Sequence, residues 1–169
     1  MKWLYLLVLI ISSPVFATVY QTPTHFFHET FSSPPKPQVL WITKSIKPQV
    51  ERIMAHKVNF LRIRYWGKGK KTVWILDEIG KERPITIGIV IENNRIDRIK
   101  VLEFRESRGD EIQYPFFTDQ FHHARLQNDL ELDRHINGIS GATLSVRALT
   151  KISRLALFFH QQTSHRSQP

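Results

Sequence analysis

Cysteine is absent from the 169 residues. That excludes disulfide staples, thiolate-held iron–sulfur clusters, c-type haem attachment and a lipid anchor on an N-terminal cysteine. A redox centre, if the chain has one, is held some other way. Acidic residues are in the minority, with 15 Asp and Glu against 24 Lys and Arg and a formal charge of +9. Such a balance favours anionic partners. The cations are dispersed apart from Lys68-Gly69-Lys70-Lys71, which reads as a solvated hairpin turn. No glycine-rich dinucleotide fingerprint follows a strand, so no NAD site is expected, and no serine elbow is visible. Nowhere do apolar residues run for the roughly 20 positions a membrane span needs.

The short apolar run that is present, Trp3 to Ile11, follows Met1-Lys2 and leads into Ser12-Ser13-Pro14-Val15-Phe16-Ala17. A positive start, a compact apolar stretch and small residues at the exit read as a secretory signal peptide over residues 1–17, cleaved after Ala17. A soluble, exported protein in the periplasm is the expectation. About 150 residues then remain, enough to bury roughly 68–70% of the unfolded surface without cross-links. An exported protein rarely meets nucleic acid, so the positive charge points to anionic lipid head groups or an acidic redox partner.

Residues 18–38 are rich in Pro and Ser and are expected to be an extended lead-in. Over Lys44–His56 the apolars Ile46, Val50, Ile53 and Met54 recur at helical spacing, with Pro48 tolerable in the first turn. From Phe60 the pattern turns β-like. Strand-forming runs surround Ile63-Arg64-Tyr65-Trp66, Thr72 to Asp77, Ile85 to Ile91 and Ile96 to Phe104, with Asn93-Asn94 marking a tight turn. Pro115 to Phe121 reads as a short helix or turn with buried aromatics. From Gly141 to His160, Leu144, Ala148, Ile152, Leu155 and Phe159 form one stripe, and Arg147, Lys151 and Arg154 lie opposite. Residues 161–169 are polar and expected to be disordered. The fold class expected is α+β: a twisted, mainly antiparallel sheet packed by a long C-terminal helix and a shorter N-terminal one.

The segment with chemical content opens the last helix: Asn137-Gly138-Ile139-Ser140-Gly141-Ala142-Thr143-Leu144-Ser145. Ser140 is placed as an N-cap. Unpaired first-turn N–H groups and the helix dipole stabilise a phosphate at such a point. Gly141 and Ala142 leave room for its approach, and Thr143 offers a hydroxyl beside it. A capping serine followed by small residues also occurs without any ligand. Other polar sets carry less. His25 and His28 share an HxxH spacing and His122-His123 are adjacent, but neither set has a third ligand at zinc-site spacing. Glu103 and Glu106 would point to opposite faces of a strand, which argues against joint acid–base action.

Ser140-Gly141-Ala142-Thr143 followed by Leu144-Ser145 and an amphipathic helix resembles the flavinylation motif of the FMN-binding domain. That domain occurs in the C subunit of the sodium-translocating NADH:quinone reductase and the G subunit of related electron-transport complexes. Val101 to Ser107 resembles the family's strand ending in Glu-Thr, with Glu106-Ser107 at that point, and Phe117 to Phe121 resembles its Phe-x-x-Gln-Phe element. The resemblance covers roughly residues 80–160 of a domain placed at 39–160. It implies FMN joined by a phosphoester to Thr143, with Ser140, Gly141, Ala142, Glu106 and Ser107 as further cofactor-binding residues. It also implies a magnesium-dependent flavin transferase using FAD, and a membrane-bound reductase or cytochrome as redox partner. Trp66, Phe104, Phe116 and Phe117 are candidate walls for the flavin ring, though core roles suit each of them. Arg105 or Arg108 would favour its anionic reduced form. Two departures stand out: Asn137 replaces the family's usual aspartate, and Arg108-Gly109-Asp110-Glu111 replaces Pro-Gly-Leu-Gly. The first leaves open an alternative, a flavin-free accessory module of the same fold.

Overall fold

A computed structural model of the protein describes residues 17–166. The apolar part of the expected signal peptide, residues 1–16, lies outside the described residues. Six strands form one antiparallel sheet in the order β1-β6-β5-β4-β3-β2. They are β1 (Thr18–Val19), β2 (Gln38–Trp41), β3 (Arg62–Lys68), β4 (Lys71–Ile79), β5 (Pro84–Glu92) and β6 (Arg95–Phe104). Helices α1 (Pro23–Thr30), α2 (Lys47–Met54), α3 (Pro115–Thr118) and α4 (Thr143–Gln161) complete the frame. The α+β class expected from the pattern is the one observed.

Alternation along the strands builds the two faces. Thr72, Trp74, Leu76 and Glu78 of β4 are buried on one side, and Val73 is buried on the other. Asn93 and Asn94 take positive φ of 53° and 62°, the geometry of a tight hairpin turn between β5 and β6. On the first face α4 lays Leu149, Ile152, Ala156 and Phe159 against Trp74, Ile87 and Ile89, and α2 adds Val50 and Ile53. Each large apolar side chain buried there contributes roughly 1.5–3 kcal/mol relative to exposure. On the second face Phe26 of α1 lies directly over Gly88, and Phe27 packs on Trp66 with ring centres 4.2 Å apart and planes tilted by 44°.

One polar chain crosses the first core. Trp74 Nε1–H donates to Thr72 Oγ1 (2.9 Å), Thr72 pairs with His160 Nδ1 (2.8 Å), and His160 Nε2 pairs with Asn94 Oδ1 (3.1 Å). The amide oxygen can only accept, so the neutral imidazole carries its proton on Nε2, and the Thr72 hydroxyl donates to Nδ1. The donors run one way, from Trp74 to Asn94. Burial, with His165 nearby, lowers the His160 pKa to about 4.

Three expectations are corrected. Residues 18–38 are not merely extended: they hold β1 and α1, the latter capped by Thr22 Oγ1, which accepts from His25 N–H at 3.2 Å, with Pro23 in its first turn. Residues 161–166 are not a free tail, because Thr163 is buried and His165 Nδ1–H donates to the Gly69 carbonyl at 2.7 Å. The shorter helix is trimmed to Lys47–Met54, since Ala55 turns left-handed with φ 58°.

Candidate functional site

The start of α4 is bare. Its N-cap is Ala142, with φ −113° and ψ 20°, and no side chain caps the helix. Ser140 is therefore not the N-cap. Gly141 takes φ +84°, and the Ala142 N–H bonds the Ile139 carbonyl at 3.0 Å, so the chain makes a turn that leaves Ser140 exposed two residues before the N-cap. In helical geometry the N–H groups of Thr143, Leu144 and Ser145 have no carbonyl one turn back to bond. They mark the positive end of a helix of 19 residues.

In front of them is an open pocket of about 550 Å³. Gly141, Ala142, Thr143, Glu106 and Ser107, five of the six residues expected at the site, line it together with Lys81, Arg108, Leu144 and Ser145. Ser140 is not among them. Thr143 is exposed, so its hydroxyl is open to an approaching molecule.

Lys81 gave no signal in the sequence, and its presence follows from topology. Ile85 pairs with Phe104 across β5 and β6. That register sets the residues just before β5 beside those just after β6. Glu106 fastens the two segments: its Oε1 accepts the N–H groups of Lys81, Glu82 (2.7 Å) and Arg83 (2.9 Å). Partial burial raises the Glu106 pKa, but the N–H groups of Arg83, Glu82 and Lys81 and the Lys81 charge outweigh it, so the carboxyl sits below its usual range. The anion is thus stabilised within the wall of a pocket that also holds two cations, Lys81 and Arg108.

A second bridge reaches the motif from the aromatic segment. Gln120 Oε1 accepts the Asn137 N–H at 2.7 Å, and its Nε2 donates to the Asn137 carbonyl at 3.4 Å. Gln120 therefore fixes the backbone three residues before Ser140, while the Asn137 side chain is exposed.

The other candidates fall elsewhere. Phe104 and Phe117 are core residues. Trp66 packs on the opposite face of the sheet, and Phe116 is exposed. The Arg105 guanidinium is taken up by the Pro84 carbonyl (3.1 Å), Thr86 Oγ1 (2.9 Å) and the Glu103 carboxylate. Arg147 is exposed and lies outside the pocket lining. His25 bonds to Gln21 and pairs with Glu29 on α1, and the rings of His122 and His123 touch at a tilt, their centres 3.7 Å apart.

Residues 80–157 match the family model of the FMN-binding domain. These residues belong to the FMN-binding domain family. No curated protein and no solved structure matches the chain. Every residue lining the pocket lies inside the matched segment. The residues there fit the phosphate end of FMN: uncapped helix N–H groups, two cations and a left-handed glycine that presents no side chain. A bound phosphate would be held by the first turn of α4 with Lys81 and Arg108, and the FMN-binding domain places a hydroxyl, that of Thr143, on the same turn.

Proposed function

We propose that the protein is an exported electron carrier whose FMN is joined by a phosphoester to Thr143. The observation that carries this reading is the exposed Thr143 hydroxyl on an uncapped helix start, in a pocket with Lys81 and Arg108, inside an FMN-binding domain. The hydroxyl is a weak nucleophile, so attachment falls to a separate magnesium-dependent transferase. Thr143 Oγ attacks the FMN-side phosphorus of FAD; that P–O bond forms, the P–O bond to AMP breaks, and AMP leaves. The hydroxyl proton goes to a base on the transferase. Once bound, a flavin takes up and releases one or two electrons. This chain contributes the anchor, the positive setting and exposure to a redox partner, for which a membrane-bound reductase or cytochrome suits a periplasmic carrier.

Asn137 favours a second reading, a flavin-free accessory module docking on a membrane redox complex. One experiment separates the two. The full chain is exported from cells that also express an FAD-dependent flavin transferase, then resolved on a denaturing gel under ultraviolet light. The carrier reading expects a fluorescent band and an intact mass raised by one FMN less one water, both lost in Thr143→Ala and kept in Thr143→Ser. A dark wild-type band that becomes fluorescent in Asn137→Asp supports the accessory module. A Thr143→Ala variant that still fluoresces overturns Thr143 as the anchor.

A further inference from the structure

The second face of the sheet is only partly covered. Helix α1 shields β5 and the adjoining parts of β4 and β6, where Phe26, Val73, Val90 and Leu102 are buried together. Beyond it, over β2 and β3, the same face is open to solvent. Val39 and Trp41 of β2 are 46% and 58% exposed. Opposite them in register stand Arg64 and Arg62, both exposed. The Arg62 guanidinium lies over the Trp41 ring, 5.9 Å from its centre.

Alternation along β3 extends this row. Arg62, Arg64, Trp66 and Lys68 project from one side of the strand, spaced roughly 6–7 Å apart. Between β3 and α1 runs a groove of about 520 Å³ with Phe27, Trp66 and Ile75 in its lining, and no carboxylate is among the lining residues. Neither Arg62 nor Arg64 has an acidic side chain within ion-pair distance among the described residues. The strip therefore combines unneutralised cations with exposed apolar and indole surface, and its lining side chains offer donors but no acceptors.

We propose that the β2–β3 face seats the protein on an anionic lipid bilayer, with Trp41 entering the head-group layer and Arg62, Arg64 and Lys68 facing lipid phosphates. Indole rings are favoured at that depth because one edge is polar and the body is apolar. Each Lys or Arg near an anionic surface adds about 1 kcal/mol, so three of them give weak, reversible, salt-sensitive attachment. The row of like charges on a flat strand pair matches a surface of repeated phosphates, whereas a protein partner would call for placed acceptors. The flavin pocket opens at the start of α4, which packs on the other face of the sheet, so the bilayer contact leaves it free. This inference does not depend on flavin attachment.

The test uses the full chain, exported and without flavin, in vesicle flotation. Vesicles of phosphatidylcholine alone are compared with equimolar phosphatidylcholine and phosphatidylglycerol, at low and high salt. Expected is flotation with the anionic vesicles only, weakened by salt. The double variant Arg62→Gln/Arg64→Gln lowers partition about 30-fold, and Trp41→Ala lowers it without any change of charge. Lys44→Gln/Lys57→Gln, which removes the same charge from exposed positions elsewhere, lowers it by no more than about threefold. All five positions are exposed, and a thermal midpoint for each variant confirms folding. Equal binding to both vesicle types, no binding to either, or an equal loss in the lysine control overturns the proposal; no binding to either would leave an acidic protein as the partner for this face.

Discussion

Glu106 and Gly80 are fitted to each other: a Cβ at Gly80 would lie 2.9 Å from Glu106 Oε1 and 3.0 Å from Cδ1 of Ile85. That oxygen is the one holding three successive N–H groups of the 81–83 loop. A methyl group at residue 80 therefore competes with the carboxylate for its seat. Gly80→Ala and Glu106→Ala are each expected to cost about 1 kcal/mol, a figure reduced from that of a buried charged hydrogen bond because the site is partly exposed. Since both break the same contact, the double variant should cost little more than Glu106→Ala alone. Urea unfolding of the four proteins checks this, and additive losses would refute the shared contact. The Glu106 contribution is present above the ordinary carboxyl pKa, because its folded value is lowered. It fades as pH falls through that lowered value.

His160 governs a different pH window. Its imidazole is fully buried and neutral, donating from Nε2 and accepting on Nδ1, and its folded pKa is lowered from 6.5 to about 4. Below pH 6.5 the unfolded chain takes up a proton that the folded chain refuses. Stability is thus complete above about 6.5 and declines as pH falls toward about 4, by a total on the order of 3 kcal/mol. Replacement by Gln removes the titration, so His160→Gln should be less stable at pH 7 yet show a flatter profile between pH 6.5 and 4.5. Denaturant midpoints at pH 7, 6, 5 and 4.5 measure it. An unchanged slope in the variant would assign the decline to another group.

The strands were readable because their chemistry is local. Ile85 to Ile91 alternate with small or β-branched neighbours, and Asn93-Asn94 can adopt positive φ where other residues resist it. Helix α4 was readable for the same reason, its stripe being long and regular. Helix α1 escaped although Thr22-Pro23 is a proper start signal, because Phe26, Phe27 and Phe31 lack a full helical stripe and Pro and Ser crowd the segment after it. At the site, Thr143, Gly141 and Ala142 are adjacent in the chain and could be read together. Lys81 could not, since only the pairing of β5 with β6 brings the end of one hairpin to the start of α4. The place of Ser140 was misread because the left-handed turn at Gly141 is set by backbone geometry that residue type permits without dictating.

The Gln120 clamp on Asn137 offers a way to test whether the motif must be preset for modification. Gln120→Ala removes one acceptor and one donor from the Asn137 backbone, at a half-buried position, and should cost about 0.5–1 kcal/mol in stability. Under the carrier reading, flavin attachment to Thr143 should slow by more than the stability loss accounts for, because the loop presented to the transferase is no longer held. A time course of gel fluorescence at fixed transferase gives the rate, and Asn137→Asp in the same background separates the effect of charge from that of position. Equal rates for wild type and Gln120→Ala would show that the clamp has no part in presentation.

Gly141 is the sharpest conformational test of the site. Its φ of +84° lies in the left-handed region, and a Cβ built there meets no atom within 4 Å. Any penalty for a side chain is therefore one of backbone conformation, free of steric contact. Ala should cost about 1–2 kcal/mol in holding the turn, Val more, and Asn less because it tolerates the left-handed region. In the folded protein this cost is met by shifting the turn that sets Thr143 at the helix start, so under the carrier reading flavin attachment should fall in the order Gly, Asn, Ala, Val while the melting temperature drops only by a few degrees. Fluorescence per mole of protein and thermal unfolding of wild type and the three variants give both quantities. A Val variant modified as fast as wild type would mean that the transferase accepts Thr143 in more than one backbone arrangement, and the left-handed turn would lose its functional meaning.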